Sequence, residues 1–481
     1  MLSEDILYLS VRELGDRIRS GALSPVELAE SYLERSRALG PKLNAYATLT
    51  PELALRQATQ AEQEIKEGQY RGPLHGIPYA AKDLVAVKGY PTTWGAPPFA
   101  NQTFDYNAGV IERLNQAGAV LLGKAAMIEL AGGLGYSNGM ASLQGGSRNP
   151  WNTECWTCGS SSGSGAVVAA ALAPWAIGSD TRGSIICPTA WCGIAGLRPS
   201  FGIVSRHGAM AIAWSMDKLG PMARTADCCG LVLSVMAGHD PKDHDSLPNG
   251  QAAFSYAPAA NRPLRIGRLT NVWNRLAPGL EAAVDEGLQV LEKNGATVRD
   301  AQIPDGPFEE AARLTILIEA ASSYQEMIRS GTCAQLKDPL GQINGYASEQ
   351  ISATDYLHIQ RVRAILQQRV DRLFDDFDVL AAPSSASTAR LLVPPERDSS
   401  EAARRNERRE ESRLDNFSRA PDGVSSLCGL PALSVPCGFS ADNMPFGIQF
   451  IGRALNDRAV IDAARTYQNL TDWHKRRPPA G

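Results

Sequence analysis

The sequence predicts an α/β fold, one large mixed β-sheet flanked by helices, on three observations. Between residues 264 and 303 the strand-like LRIGRL, a helix-period segment over 280–293 and the strand-like ATVRDAQI follow one another, the alternation of an α/β layer. A helix over 108–117 feeds the buried apolar run AGAVLLGKA at 117–125 in the same way. Late in the chain DVLAAP (378–383), ALSVP and FGIQFIG return to strand character, so distant parts of the chain build the same sheet.

Taken in order, residues 1–70 read as helical, with apolar residues three and four apart over 9–18 and 24–39. Ser24 followed by Pro25 and Glu27 suits a helix start, a capping hydroxyl with proline at the first turn. PLHGIPYAAKDLVAV (73–87) has the alternation and β-branching of strands. A helix is expected over about 164–172, after the loop-like NPWNTECWTC. Residues 71–305 and 378–470 then form the sheet core, and 306–377 a helical lobe beside it. The polar, charged span 391–422 is a candidate surface insertion or lid. No repeat interrupts this order, so 1–481 reads as one large domain.

Composition excludes several classes. The chain is 44% hydrophobic and 20% charged with a net charge of −4, which gives no support for a nucleic-acid partner. The one basic run, RRNERREESR around Arg404, is interleaved with acids and reads as a solvated helix face. The N-terminus lacks the basic and apolar regions of a signal peptide, and the longest apolar run, 166–177, is too short to span a bilayer and contains Pro174. Nine cysteines without framework spacing predict a reduced, cytoplasmic protein, and the lack of a spanning apolar run predicts no membrane association. Cys155 and Cys158 form a CxxC, but no second CxxC or histidine pair completes a zinc site.

The chemistry concentrates in residues 145–202, a stretch of small residues that includes CGSSSGSG and SDTRGSIICPTAWCGIAGLRPSFG. Glycine-rich turns let backbone N–H groups converge on an anion or oxyanion. Four readings compete. Gly159 to Gly163 satisfies GxSxG with Ser161 as nucleophile, although that motif wants a preceding strand and a late histidine, for which only His358 and His474 are candidates. Ser215 to Lys218 matches SxxK without its companion SDN and KTG strings. GSSSGSG could cradle phosphate but lacks the Lys-Ser/Thr ending of a nucleotide loop.

The fourth reading joins distant residues. Residues 76–85, 145–202 and 429–436 together resemble the amidase signature family: CGSSSGS, then GSDTRGSIICPTAWCGIAGLRPSFG, flanked by HGIPYAAKDL, DKLGPMARTADC and GLPALSVPCGF. The resemblance spans residues 7–468 and implies that family's fold. It implies Lys82 as catalytic lysine, Ser184 as acyl-accepting nucleophile and Ser160, held on a cis peptide, as the bridging serine. Ser161 would support the network, and the N–H groups of Thr181, Arg182, Gly183 and Ser184 would form the oxyanion hole. Asp180 is assigned a structural role, fixing the loop by hydrogen bonds.

Such a relay cleaves amides, R–CO–NH–R′, and is suited to esters and carbamates, with no metal or organic cofactor. A lysine can act as base only when neutral, which burial favours. The expected partner is a small-molecule amide, ester or carbamate, with no nucleic acid; a homodimer is compatible with the sequence. The family also includes the glutaminase subunit of the tRNA-dependent amidotransferase, the alternative to a free-standing amidase; a non-catalytic binding protein on the same fold is a third. This chain departs from the pattern at Cys158 and Ser162, where glycines are usual, at Arg182, the first of a usual glycine pair, and at Ile186, usually arginine. The pocket walls are expected from the lobe, the 391–422 span and the loops around Trp94, Tyr136 and Trp214.

Overall fold

The computed structural model describes residues 2–248, 250–256, 263–392 and 420–479. In chain order its strands are β1 (Tyr46–Leu49), β2 (Pro78–Lys82), β3 (Val120–Ala125), β4 (Arg148–Asn149), β5 (Asn152–Trp156), β6 (Trp175–Asp180), β7 (Ala195–Arg198), β8 (Lys218–Ala223), β9 (Arg265–Leu269), β10 (Thr297–Ala301), β11 (Val379–Pro383), β12 (Ala432–Phe439) and β13 (Pro445–Gly452). Among the described residues, eleven of these form one sheet in the order β1-β3-β2-β6-β8-β7-β12-β13-β11-β9-β10. The sheet is mixed: β2 runs parallel to β3 and β6, and β9 parallel to β10 and β11, while β6, β8, β7, β12 and β13 alternate in direction.

Burial accounts for the order. β2, β3 and β6 are buried at every position, as expected of strands covered by helices on the interior of an α/β layer. Tyr79 of β2 stacks on Trp175 at the start of β6, centroids 4.8 Å apart, adding about 0.5–1.5 kcal/mol beyond the area the rings bury. The helix Val11–Arg19 is closed by a reciprocal cap: Glu13 N–H donates to Ser10 Oγ at 3.2 Å and Ser10 N–H to Glu13 Oε2 at 2.8 Å. Ser24 caps the helix Pro25–Leu43 through Glu27 N–H, 3.1 Å away.

The lobe contains helices Phe308–Ser323, Pro339–Ser348 and Ala353–Asp371. Phe308, Ala311, Leu366 and Val370 form a second apolar cluster with Leu269 of β9, Leu380 of β11 and Leu427, so the lobe seats on the β9–β11 end of the sheet.

Three local expectations change. Residues 1–70 are not helical throughout: β1 pairs antiparallel with β3 and extends the sheet edge, four half-buried residues too short to carry a period. The segment before the serines is not a loop: β5 pairs with β4 in a separate hairpin. Of the span 391–422, residues 393–419 lie outside the described residues, with the basic run around Arg404; its far end enters the helix Pro421–Leu427. Among the described residues no helix is long and apolar enough to cross a membrane.

Candidate active site

Parallel neighbours deliver their C-terminal ends to the same edge of a sheet, where ligands of open α/β sheets bind. Ala80 and Ala81 of β2 face Ala176 and Ile177 of β6, so Lys82, the last residue of β2, emerges beside Ser179 and Asp180, the last of β6. The third contribution is the turn before the helix Ser162–Ala169. That turn comes close because Gly163 lacks a side chain: a Cβ there would lie 2.4 Å from both Ala126 N and Ala45 O.

Lys82 is fully buried. Its Nζ donates to Ser160 Oγ at 2.8 Å, Ser161 Oγ at 3.0 Å and Ser179 Oγ at 2.8 Å. Among the described residues it forms no ion pair, and burial lowers its pKa to about 7, with Asp180 and Asp217 acting in the opposite direction. The Gly159–Ser160 peptide bond is cis. Ser161 is tied to β6: its hydroxyl donates to Ser179 O at 3.1 Å and accepts from Ser179 N–H at 3.2 Å. The Ser161 proton is thus committed to that carbonyl, whereas the Ser160 and Ser179 hydroxyls accept from Lys82. Ser179, not assigned a role from the sequence, is the third member of the lysine's shell.

The loop after β6 carries Ser184, which is half-buried, and Ser161 N–H donates to Ser184 O at 3.3 Å, joining the two serine segments. Asp180 organises the loop from below. Its Oδ1 accepts from Gly183 N–H at 2.7 Å and its Oδ2 from Ile185 and Ile186 N–H at 2.8 and 3.4 Å. Burial works against the Asp180 charge, but Arg198, Lys218 and these N–H groups hold its pKa below the usual range. Arg198 lies 3.6 Å away and is itself held by Ser425 and Ser426.

This geometry corrects one expectation. The Gly183 N–H serves Asp180 and not an oxyanion; the loop donors not committed to Asp180 are those of Thr181, Arg182 and Ser184. Gly183 has φ +88°, and a Cβ there would meet Asp422 Oδ2 at 2.9 Å, so the turn needs glycine. Thr181 is fixed through its hydroxyl, which donates to Asp217 Oδ1 at 2.6 Å. Arg182 turns its guanidinium to Glu309 of the lobe, forming an ion pair between loop and lobe.

Ser184, Gly159, Thr181 and Arg182 open onto a cleft of about 510 Å³. Its walls are Ile212, Ile316, Leu317, Ile351 and Tyr136, with Arg313, Asn344 and Ser348 as polar groups. Of the aromatics expected to line it, Tyr136 does. Trp94 instead packs on Phe99, centroids 4.6 Å apart, and Trp214 lines a separate cavity of about 240 Å³.

The competing motifs come apart. Ser215 Oγ donates to Glu319 and Lys218 Nζ to Met216 O, so this SxxK pair does not meet. Ser161 hydrogen-bonds Lys82 and Ser179, and no histidine bonds to it among the described residues. Cys158 pairs with Cys187 in a disulfide, while Cys155 stays free and buried. That corrects the reading of all nine cysteines as reduced. Twenty-nine residues separate the two sulfurs in sequence, and only the packing of the two serine loops brings them together.

The model of the family described as Amidase matches residues 27–461. The chain is 36% identical to the A subunit of the glutamyl-tRNA(Gln) amidotransferase of Chloroflexus aggregans, over 98% of this chain and 99% of that one. Among solved structures, the peptide amidase of Stenotrophomonas maltophilia superposes with a TM-score of 0.82 at 29% identity, covering 98% of each chain. The corresponding A subunit of the glutamyl-tRNA(Gln) amidotransferase of Thermotoga maritima superposes with a TM-score of 0.77 at 26% identity, over 97% of this chain and 95% of that one. These names correct the expectation of a small-molecule substrate acted on with no nucleic acid: the relatives are named as one subunit of an enzyme of glutamyl-tRNA(Gln). Site motifs report the carbonyl that is attacked, not the assembly around it.

Proposed function

The chain belongs to the amidase family, and from that premise we propose that it cleaves a carboxylic amide through an acyl-Ser184 intermediate, as the amide-hydrolysing subunit of a glutamyl-tRNA amidotransferase. The observation that carries the chemistry is Lys82 Nζ, fully buried without a carboxylate, on the hydroxyl of Ser160. Ser184 Oγ attacks the amide carbon while its proton passes through Ser160 to neutral Lys82. The carbonyl oxygen becomes an oxyanion facing the N–H groups of Thr181, Arg182 and Ser184; such donors are worth about 3–4 kcal/mol each in related chemistry. Collapse breaks the C–N bond, the proton returns through Ser160 to the leaving nitrogen, and water resolves the acyl-serine by the same relay. The amide assigned is the side-chain amide of glutamine, with ammonia as product. The subunit reading is supported by 36% identity along the full length of a protein so named.

A second reading has its own observation. The cleft beside Ser184 is walled by Ile212, Ile316, Leu317 and Ile351, which suits an apolar acyl group better than the polar head of an amino acid. Under it the chain is a hydrolase of amides, and of aryl esters or carbamates, with such acyl groups. Hydrolysis of glutamine, an aryl anilide, a primary aryl amide and an aryl carbamate, each by wild type and Ser184→Ala, separates the two. Ammonia release from glutamine, with a partner subunit retained on purification, supports the first. Turnover confined to aryl substrates supports the second.

A further inference from the structure

One departure from the family's motifs, Cys158, meets a second cysteine, Cys187, in space. Cys158, where glycine is usual, directly precedes Gly159 and Ser160; Cys187 follows Ser184 by three residues and closes the turn in which its N–H donates to Gly183 O at 2.8 Å. The two are disulfide-bonded, and the other seven cysteines are free. Cys158 has φ +66°, a left-handed conformation that disfavours any residue with a side chain and that glycine would adopt freely. The bridge packs against Trp156, Ala190 and Trp191, with the two indoles edge to face at 5.8 Å. Cys158 is buried and Cys187 half-buried.

The segments so joined carry the two serines that pass the proton. Apart from the bridge, Ser161 N–H to Ser184 O, at 3.3 Å, is the direct backbone tie between them. The relay needs Ser160 within hydrogen-bond reach of both Lys82 and Ser184, and misplacement by about 1 Å can cost about a hundredfold in rate. We propose that the Cys158–Cys187 bridge is a positioning element of the serine–lysine site, so that its cleavage by a dithiol lowers turnover without removing a catalytic group. The inference rests on the roles of Ser184, Ser160 and Lys82 proposed above. In the cleavage step the dithiol gives two electrons and two protons. The Cys158–Cys187 S–S bond breaks to two thiols, and the dithiol closes to its cyclic disulfide.

The test uses full-length protein, as purified in air and after dithiothreitol, with thiols counted by alkylation and mass spectrometry. The readouts are the rate at which a fluorophosphonate labels Ser184, and kcat and KM on whichever amide is turned over. The oxidised chain is expected to show seven alkylatable thiols and the reduced chain nine, with labelling and kcat falling about tenfold or more on reduction and KM moving less than about twofold. Cys187→Ser is expected to be slow and indifferent to dithiothreitol. Cys158→Gly, which frees the backbone at φ +66°, is expected to recover activity and to be equally indifferent. Equal rates for oxidised and reduced wild type overturn the proposal, and that comparison involves no variant that can fail to fold. Nine free thiols in the air-purified protein overturn it as well. Absence of labelling in every state and variant removes the role of Ser184 itself and takes the proposal with it, an outcome distinct from equal labelling.

Discussion

Lys82 Nζ lies 2.8 Å from Ser160 Oγ in a site where Ser161 and Ser179 hydroxyls take the lysine's other two positions. Three neutral acceptors satisfy an ammonium's geometry but do not balance its charge, and desolvation penalises the charged form. Burial lowers the lysine's pKa to about 7, which brings the neutral amine within the working range, and under the proposed relay Ser160 is the hydroxyl that delivers a proton to it.

Replacing that base is expected to abolish most of the rate. Lys82→Met keeps much of the side chain's length and bulk while removing the proton acceptor, and kcat should fall by about 10²–10⁴, the usual contribution of a positioned general base. Lys82→Arg, which remains charged at every working pH, should fall at least as far. Steady-state kinetics on a single substrate checks both.

The same group sets an acidic limb. Protonated Lys82 cannot accept from Ser160, so kcat/KM should rise with pH through about 7 and flatten above it. Burial places Lys218 and Asp422 near 7 as well, but neither hydrogen-bonds Lys82. The limb should therefore persist in Lys218→Met. A pH–rate profile of both proteins checks this.

Asp180 holds the loop that carries Ser184 through the N–H groups of Gly183, Ile185 and Ile186. Asp180→Ala leaves buried donors without an acceptor, at about 1–3 kcal/mol each. Urea unfolding should show that loss, and Ser184 labelling should slow in the fraction that stays folded. Asp180→Asn, which keeps one oxygen, should lie between the two.

Arg182 stands two residues before the nucleophile, and its guanidinium, about one-third exposed at 31%, pairs with the largely buried Glu309. Arg182→Gly keeps the backbone N–H while removing a side chain that lines the cleft. It should leave kcat within about threefold and move KM and substrate preference instead. Kinetics on two substrates of different acyl size reads the split.

What is legible in the sequence follows from what each signal depends on. Lys82, Ser160 and Ser184 are assigned as a set because the strings that hold them resemble one family's motifs, and the fold brings Lys82 Nζ within 2.8 Å of Ser160 Oγ. The capped helices at Ser10 and Ser24 and the buried strands β2, β3 and β6 follow from local chemistry and apolar runs. Ser179 escapes notice because its role depends on β6 lying parallel to β2, a pairing with no local mark. Asp217 and Glu309 reach the loop from 36 and 127 residues away, and Cys187 reaches Cys158 from 29. The commitment of Gly183 N–H to Asp180 depends on the loop's turn, and a motif that names residues does not say which way each N–H points.

The most direct measurement is the site of acylation. Wild type, Ser184→Ala and Ser161→Ala are each treated with an aryl carbamate, and the intact mass and the modified peptide are read by mass spectrometry. One adduct per chain, on Ser184, absent from Ser184→Ala and retained in Ser161→Ala, is the predicted result. An adduct that survives in Ser184→Ala and disappears in Ser161→Ala would contradict the relay and place the nucleophile on the neighbouring serine.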